Sequence, residues 1–176
     1  RIIWMSVESA EMTKHAINSF LACSVVFINE LASICEVSGA DAMEVEKGLK
    51  SEKRIGPYAY LKPGTAFAGG TLARDIKFLI NKGKDLKIEP VLFEAILKSN
   101  NNHKDWIKNK INLISKNNRI KKITVLGLTY KPGTSTLRRS LSVELCNWLI
   151  LNNFEIKVYD PMVEERPNEI NGKFEF

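Results

Sequence analysis

The chain has 176 residues, 44% of them hydrophobic and 26% charged, which allows one or two soluble globular domains and excludes a disordered or collagen-like chain. Its net charge is +6, yet the lysines are scattered over polar positions and loops instead of forming one aromatic-interleaved stripe. That excludes an evident nucleic-acid surface and favours a small, phosphate-bearing ligand.

From Ser9 to Ser38 the apolar residues Ile17, Leu21, Val25, Ile28, Leu31 or Ala32, and Cys35 recur every three or four positions, predicting a long amphipathic helix with these residues on its buried face. Gly39 is placed to end it. Asp41 reads as the N-cap of a short helix to Leu49, with Glu44 completing a capping box. Residues 51 to 70 read as loop, punctuated by Gly56-Pro57 and Pro63-Gly64. A helix follows from Thr71 through Leu79, Ile80 and Lys82, and another runs from Pro90 through Ile96 and Leu97 towards His103 and Ile111.

Asn117-Asn118-Arg119 marks a change of regime. Ile123 to Leu126 reads as a buried strand ending at Gly127, Leu141 to Leu151 has a helical period, and Phe154 to Tyr159 is a second strand. The fold class is therefore mainly α with an α/β part: a helical domain over 1–115, then a partial, Rossmann-like parallel βαβ domain over 116–176. Ligands of such sheets sit at the carboxyl ends of strands, where Gly127-Leu-Thr-Tyr-Lys-Pro-Gly133 would lie. It is not a G-x-G-x-x-G fingerprint, so the unit carries no sign of its own for a dinucleotide.

The segment Thr65-Ala-Phe-Ala-Gly-Gly-Thr-Leu-Ala-Arg-Asp75 runs a diglycine bend into a helix start, where close backbone approach and free N–H groups favour an anion. Simple turn chemistry would give the same pattern. Lys14 and Asn18, four apart, share one helix face, where an ammonium beside an amide can polarise an oxygen, although a solvated face needs no such explanation. Arg54-Ile-Gly-Pro57, the 127–133 loop with Lys131, and Arg138-Arg-Ser140 are three basic stations suited to more than one phosphate. For Arg139, Lys121 and Lys122 plain solubility suffices. His15 and His103 lack metal-ligand spacing, Trp4, Trp106 and Trp148 are assigned to packing, and so are Cys23, Cys35 and Cys146.

Ala10-Glu11, Lys14, Asn18, Phe20-Leu21-Ala22 and Ile28-Asn29-Glu30 fall at the positions of A-E-x-x-K-x-x-x-N-x-F-L-A-x-x-x-x-x-I-N-E. With the diglycine segment, the basic stations and Tyr159-Asp-Pro161, the chain resembles the nucleotide-sugar dehydrogenases, the UDP-glucose and GDP-mannose dehydrogenase family. The resemblance implies a central helical domain that dimerises through its long helix, followed by part of a UDP-binding domain. It implies an NAD-dependent oxidation of a UDP-sugar at C6, with NAD held mainly by a domain this chain lacks. Arg1 in place of an initiating Met fits a fragment. By the same resemblance Lys14 assists proton transfer, Asn18 holds the oxyanion or a water, and Asp75 orders water beside the reacting carbon. Arg54, Phe67, Gly69, Gly70, Lys131 and Arg138 contact the substrate, Arg54 reaching the neighbouring subunit's site. Arg74, in the family's lysine position, and Arg138 are also carried as cofactor contacts. The partners expected are a nucleotide sugar and a second copy, with no nucleic acid, membrane or metal. The setting expected is the cytoplasm, as no signal peptide and no run of about 18 apolar residues is evident.

One departure stands out. Where the family pattern G-x-G-G-x-C-x-x-K-D has its cysteine nucleophile, this chain has Thr71. A threonine hydroxyl needs an adjacent base, whereas a cysteine thiolate is the better nucleophile near neutral pH. The second oxidation, aldehyde to acid, is the step this replacement touches. The alternatives are a homologue that stops at the aldehyde or only binds nucleotide sugars, and a pure dimerisation module.

Overall fold

In a computed structural model that describes residues 2–176, backbone contacts divide the chain into two compact units, Arg1–Lys104 and Asp105–Phe176. The first is helical. Ser6 caps α1 (Val7–Ser38) by accepting from the Ser9 amide, and Gly39, at φ 80°, ends it in the left-handed region that glycine tolerates best. The Asp41 carboxylate accepts from the amides of Met43 and Glu44 to start α2 (Ala42–Ser51). No helix or strand follows until α3 (Thr71–Asp85), and Pro90 precedes α4 (Val91–Lys104).

Helix α1 packs against α2, α3 and α4. Ala22 and Val26 of α1 meet Ile76 and Ile80 of α3 and Ile96 of α4, with Cys23, Phe67, Leu72, Phe93 and Leu97 around them. The buried row of α1 is Ser19, Ala22, Val26 and Asn29, together with Ile28 and Cys35. Of the predicted core face, Ile28 and Cys35 are buried and Leu21, Val25, Leu31 and Ala32 are half-buried, while Ile17 is corrected, being 56% exposed. A helix apolar on several sides cannot place every core residue by period alone. Length and composition would let α1 cross a membrane, with an 18-residue window of mean hydropathy 1.7, which corrects the expectation of no such stretch. Of that window 28% is buried, and α1 packs against α2, α3 and α4 with Ser19 and Asn29 among its buried residues.

The second unit begins with α5 (Trp106–Asn118). The single helix expected from Pro90 to Ile111 is interrupted at Asp105, whose side chain pairs with Lys108 at 2.8 Å in the first turn of α5, where a carboxylate complements the helix dipole. Strands β1 (Lys122–Leu126) and β2 (Glu155–Tyr159) pair in parallel, from Lys122 opposite Glu155 to Leu126 opposite Tyr159, with α6 (Leu141–Leu151) between them in sequence. The core comprises Val125, Leu128, Val143, Cys146, Leu149, Ile156, Val158 and Ile170, and Ile111 packs against it. Burial pushes the Cys146 thiol up to about 11. Glu175 pairs with the far side of β2, its backbone bonded to Ile156 and Val158. Trp148 packs on Phe154 as expected, but Trp4 is 90% exposed, because no described element covers the segment ahead of α1.

Candidate functional site

The first unit brings Lys14, Asn18 and Asp75 together. Lys14 and Asn18 lie one turn apart on α1, and Asp75 sits in the first turns of α3, which packs against that face. The Lys14 Nζ donates to both carboxylate oxygens of Asp75 at 2.9 Å, and the Asn18 Nδ2 donates to Asp75 Oδ2. The Asp75 side chain is buried, whereas that of Lys14 is half exposed, leaving the ammonium open to a ligand. Burial by itself would raise the Asp75 carboxyl. Hydrogen bonds from Lys14 and Asn18 and the charges of Lys14 and His15 outweigh it and hold the group below the usual Asp range.

Two more groups border the carboxylate. The His15 Nδ1 is 3.3 Å from Asp75 Oδ1, close enough for charge but not aligned as a hydrogen bond, since that nitrogen is buried without a bonded partner. Its ring stacks on Phe78, with centroids 3.9 Å apart. Arg74 Nε lies 3.7 Å from Asp75 Oδ1 while its side chain stays 70% exposed, too far for a good hydrogen bond. With Lys14 and Arg74 against one carboxylate, the fixed charge here leans positive, beside the N-terminus of α3.

Thr71 is the first residue of α3 and is exposed; Gly70 is its N-cap. A Cβ added at Gly69 would meet nothing within 4 Å, so crowding within the chain does not demand that glycine. Phe67 is partly buried against the α1, α3 and α4 core. Arg54 is exposed and paired with Glu52 at 2.9 Å. Lys131 and Arg138 belong to the second unit and are exposed there. The loop carrying Lys131 is tethered by buried Asp160, which accepts from the amides of Leu128 at 2.6 Å and Thr129 at 2.9 Å, and from Met162 at 2.8 Å. Burial would raise Asp160, but these amide bonds bring it below its ordinary range.

Within the first unit, sequence reasoning missed four polar side chains that border residues 64–75. His15 was set aside as a non-ligand, and its neighbour Lys14 was the available signal. Asn29 lies within the Ile28-Asn29-Glu30 motif, accepting from Gly64 N and donating to Thr65 O. Asn100 binds both backbone groups of Phe67, and His103 Nε2 lies 2.8 Å from Gly64 O; no periodicity or spacing marks either of them.

The chain thus joins a long-helix unit, in which a lysine, an amide and a carboxylate meet one turn past a diglycine bend, to a parallel βαβ unit later in the sequence. The central-domain model of the UDP-glucose/GDP-mannose dehydrogenase family matches residues 8–102, and that family's UDP-binding-domain model matches residues 124–175. The chain belongs to this family. It is 39% identical over 155 residues to the UDP-glucose 6-dehydrogenase of Rickettsia bellii (strain RML369-C), covering 88% of this chain and 36% of that protein. It is 33% identical over 164 residues to the GDP-mannose 6-dehydrogenase of Pseudomonas aeruginosa, covering 93% of this chain and 37% of that protein. Among solved structures it superposes on a UDP-glucose dehydrogenase from the hyperthermophilic archaeon Pyrobaculum islandicum with a TM-score of 0.79 at 30% identity, covering 90% of this chain and 36% of that one. The chain thus spans little more than a third of the length of these relatives.

Proposed function

We propose that residues 1–176 are the central and nucleotide-binding parts of an NAD-dependent nucleotide-sugar 6-dehydrogenase that oxidises C6 of a UDP-sugar in the cytoplasm. The observation that carries this reading is the meeting of Lys14, Asn18 and Asp75 at 2.9 Å or less beside the Gly69-Gly70 bend. The half-exposed ammonium of Lys14 keeps a donor for oxyanion charge and proton transfer. Asn18 sets the amide beside it. Asp75, held ionised, fixes both donors and supplies the carboxylate next to the reacting carbon. Gly69 and Gly70 admit the sugar close to backbone beside Phe67, whose own side chain is packed on the core. Arg54 of the first unit is a proposed phosphate contact, as are Lys131 and Arg138 of the second, each by the fork or ammonium it offers.

The residues in hand do not fit a nicotinamide site of their own. Strand β1 runs into Gly127 without a dinucleotide fingerprint, so NAD is assigned to segments outside 1–176, with Arg74 and Arg138 at most bordering it. The partner proposed is a second copy: Ile17, Phe20, Phe27 and Ile34 stand 56%, 74%, 50% and 63% exposed along α1, an apolar stripe suited to a helix–helix seam.

Thr71 favours a second reading, in which oxidation stops at the aldehyde or the sugar is bound without turnover. The test is to give full-length protein UDP-glucose and related sugars with NAD and to count NADH formed per sugar. Two supports complete oxidation, one supports arrest at the aldehyde, and none rejects the dehydrogenase reading. Thr71→Cys is expected to raise one to two; no change counts against the assignment of this loop.

A further inference from the structure

Between Leu61 and Gly70 the first unit has no helix or strand, yet this stretch determines where Gly69, Gly70 and Thr71 stand. Its backbone amides and carbonyls must find partners elsewhere. Two buried asparagines, one on α1 and one on α4, supply them. Asn100, 3% exposed, accepts from Phe67 N with Oδ1 and donates to Phe67 O with Nδ2, both at 2.9 Å. It thereby treats one residue as a neighbouring antiparallel strand would. Asn29, 2% exposed, accepts from Gly64 N at 2.9 Å and donates to Thr65 O at 3.3 Å. From Phe67 the chain passes to Gly70, whose amide bonds to Ala68 O at 2.8 Å and whose carbonyl takes the Arg74 amide at 3.1 Å to open α3. The side chain of Phe67 is meanwhile packed on the core.

We propose that Asn100 is a positioning residue for the diglycine loop, fixing Phe67 so that Gly69, Gly70 and Thr71 keep one set distance from Lys14 and Asn18; this rests on the dehydrogenase reading above. A carboxamide is the side chain for the task, since it offers an acceptor and a donor in one plane. An ionised aspartate has no donor for Phe67 O and sets negative charge against that carbonyl. Leucine and alanine offer neither group. Asn29 secures the loop three residues earlier, so that Asn100 is the lock nearer the bend.

The test uses full-length protein with NAD and either UDP-glucose or GDP-mannose. Asn100→Ala is expected to lower kcat by about 10- to 100-fold, because a misplacement of about 1 Å costs that much, while KM for the nucleotide sugar stays within about threefold. Amide exchange over residues 67–73 is expected to quicken by about tenfold or more, with α1 and α2 unchanged. Asn100→Asp is expected to be impaired near pH 8 and to regain rate relative to the parent as pH falls to about 6, when a protonated carboxyl restores the donor. An unchanged kcat, or unchanged exchange over 67–73, in folded Asn100→Ala protein overturns the inference. If that variant does not fold, Asn100→Asp decides, and a ratio to the parent that is flat with pH overturns it. A parent that oxidises no nucleotide sugar defeats the dehydrogenase reading alone, and exchange over 67–73 still judges the lock.

Discussion

The Lys14 ammonium lies 2.9 Å from each carboxylate oxygen of Asp75, joining α1 to α3 across 61 positions of sequence. Neither group is well placed alone. A buried carboxylate without its cation is costly, and a lone lysine on that face would be free to swing into solvent. Lys14→Met and Asp75→Asn are each expected to destabilise the first unit by about 1–3 kcal/mol, discounted from a fully buried pair because Lys14 is half exposed. The double variant is expected to cost less than the sum by about 1 kcal/mol or more. Urea midpoints for the four proteins measure this, and strict additivity would show that the two side chains are not coupled.

Acid should weaken both units for a common reason. Asp75 and Asp160 are held below the ordinary Asp value of 3.8, so near and below that pH the unfolded chain binds more protons than the folded one. Stability therefore rises with pH across this window. Their contribution is fully present above about pH 5 and is lost as pH falls through the folded values, below 3.8. Asp160→Asn is expected to lower stability by about 1–2 kcal/mol at neutral pH and to flatten the acid limb of the second unit. Calorimetric midpoints from about pH 6 to about pH 3 read the slope; a variant whose midpoint falls as steeply as the parent's would assign the acid sensitivity to other groups.

What could be read from the chain beforehand follows from how local each determinant is. Gly39, Asp41 and the Leu141–Leu151 period act within a turn or two, and the helices they define formed where expected. The four-residue spacing of Lys14 and Asn18 was equally visible. The complete burial of Asp75, its contact with His15 and the grip of Asn100 on Phe67 join segments 33 or more residues apart, and no local pattern encodes them. The inward face of α1 was legible at Ile28 and Cys35, which are buried, but not at Ile17, which is exposed, because the helix is apolar on more than one side. The break at Asp105 was missed although residues 98–105, Lys-Ser-Asn-Asn-Asn-His-Lys-Asp, contain no apolar residue; with neither Gly nor Pro there, no strong breaker marks the end of α4.

Burial also makes a prediction about thiol chemistry. Cys146 is fully buried in the second core, and burial pushes its thiol up to about 11, so at neutral pH almost none of the reactive thiolate exists. In the native protein Cys146 is expected to resist an aromatic disulfide reagent and to react at the unfolded-state rate once denaturant is added. Mass mapping of labelled Cys146 in the native state would contradict the packed core. Cys146→Ala, which leaves a small cavity, is expected to cost about 1–2 kcal/mol.

The stripe on α1 offers the sharpest test of assembly. Phe20 and Phe27 are seven residues apart, two turns along one side, and are 74% and 50% exposed, so within one chain a charge there meets mainly solvent. A surface substitution of this kind should shift monomer stability by no more than about 0.5 kcal/mol. In a seam between two copies the same glutamates would face one another across a desolvated interface, where unpaired buried charge is strongly unfavourable. Phe20→Glu combined with Phe27→Glu is therefore expected to convert a dimer into a folded monomer. Sedimentation equilibrium of the parent and the double variant, with circular dichroism to check that α1 persists, decides it. A parent that sediments as a monomer, or a double variant that remains dimeric, would remove α1 from the interface.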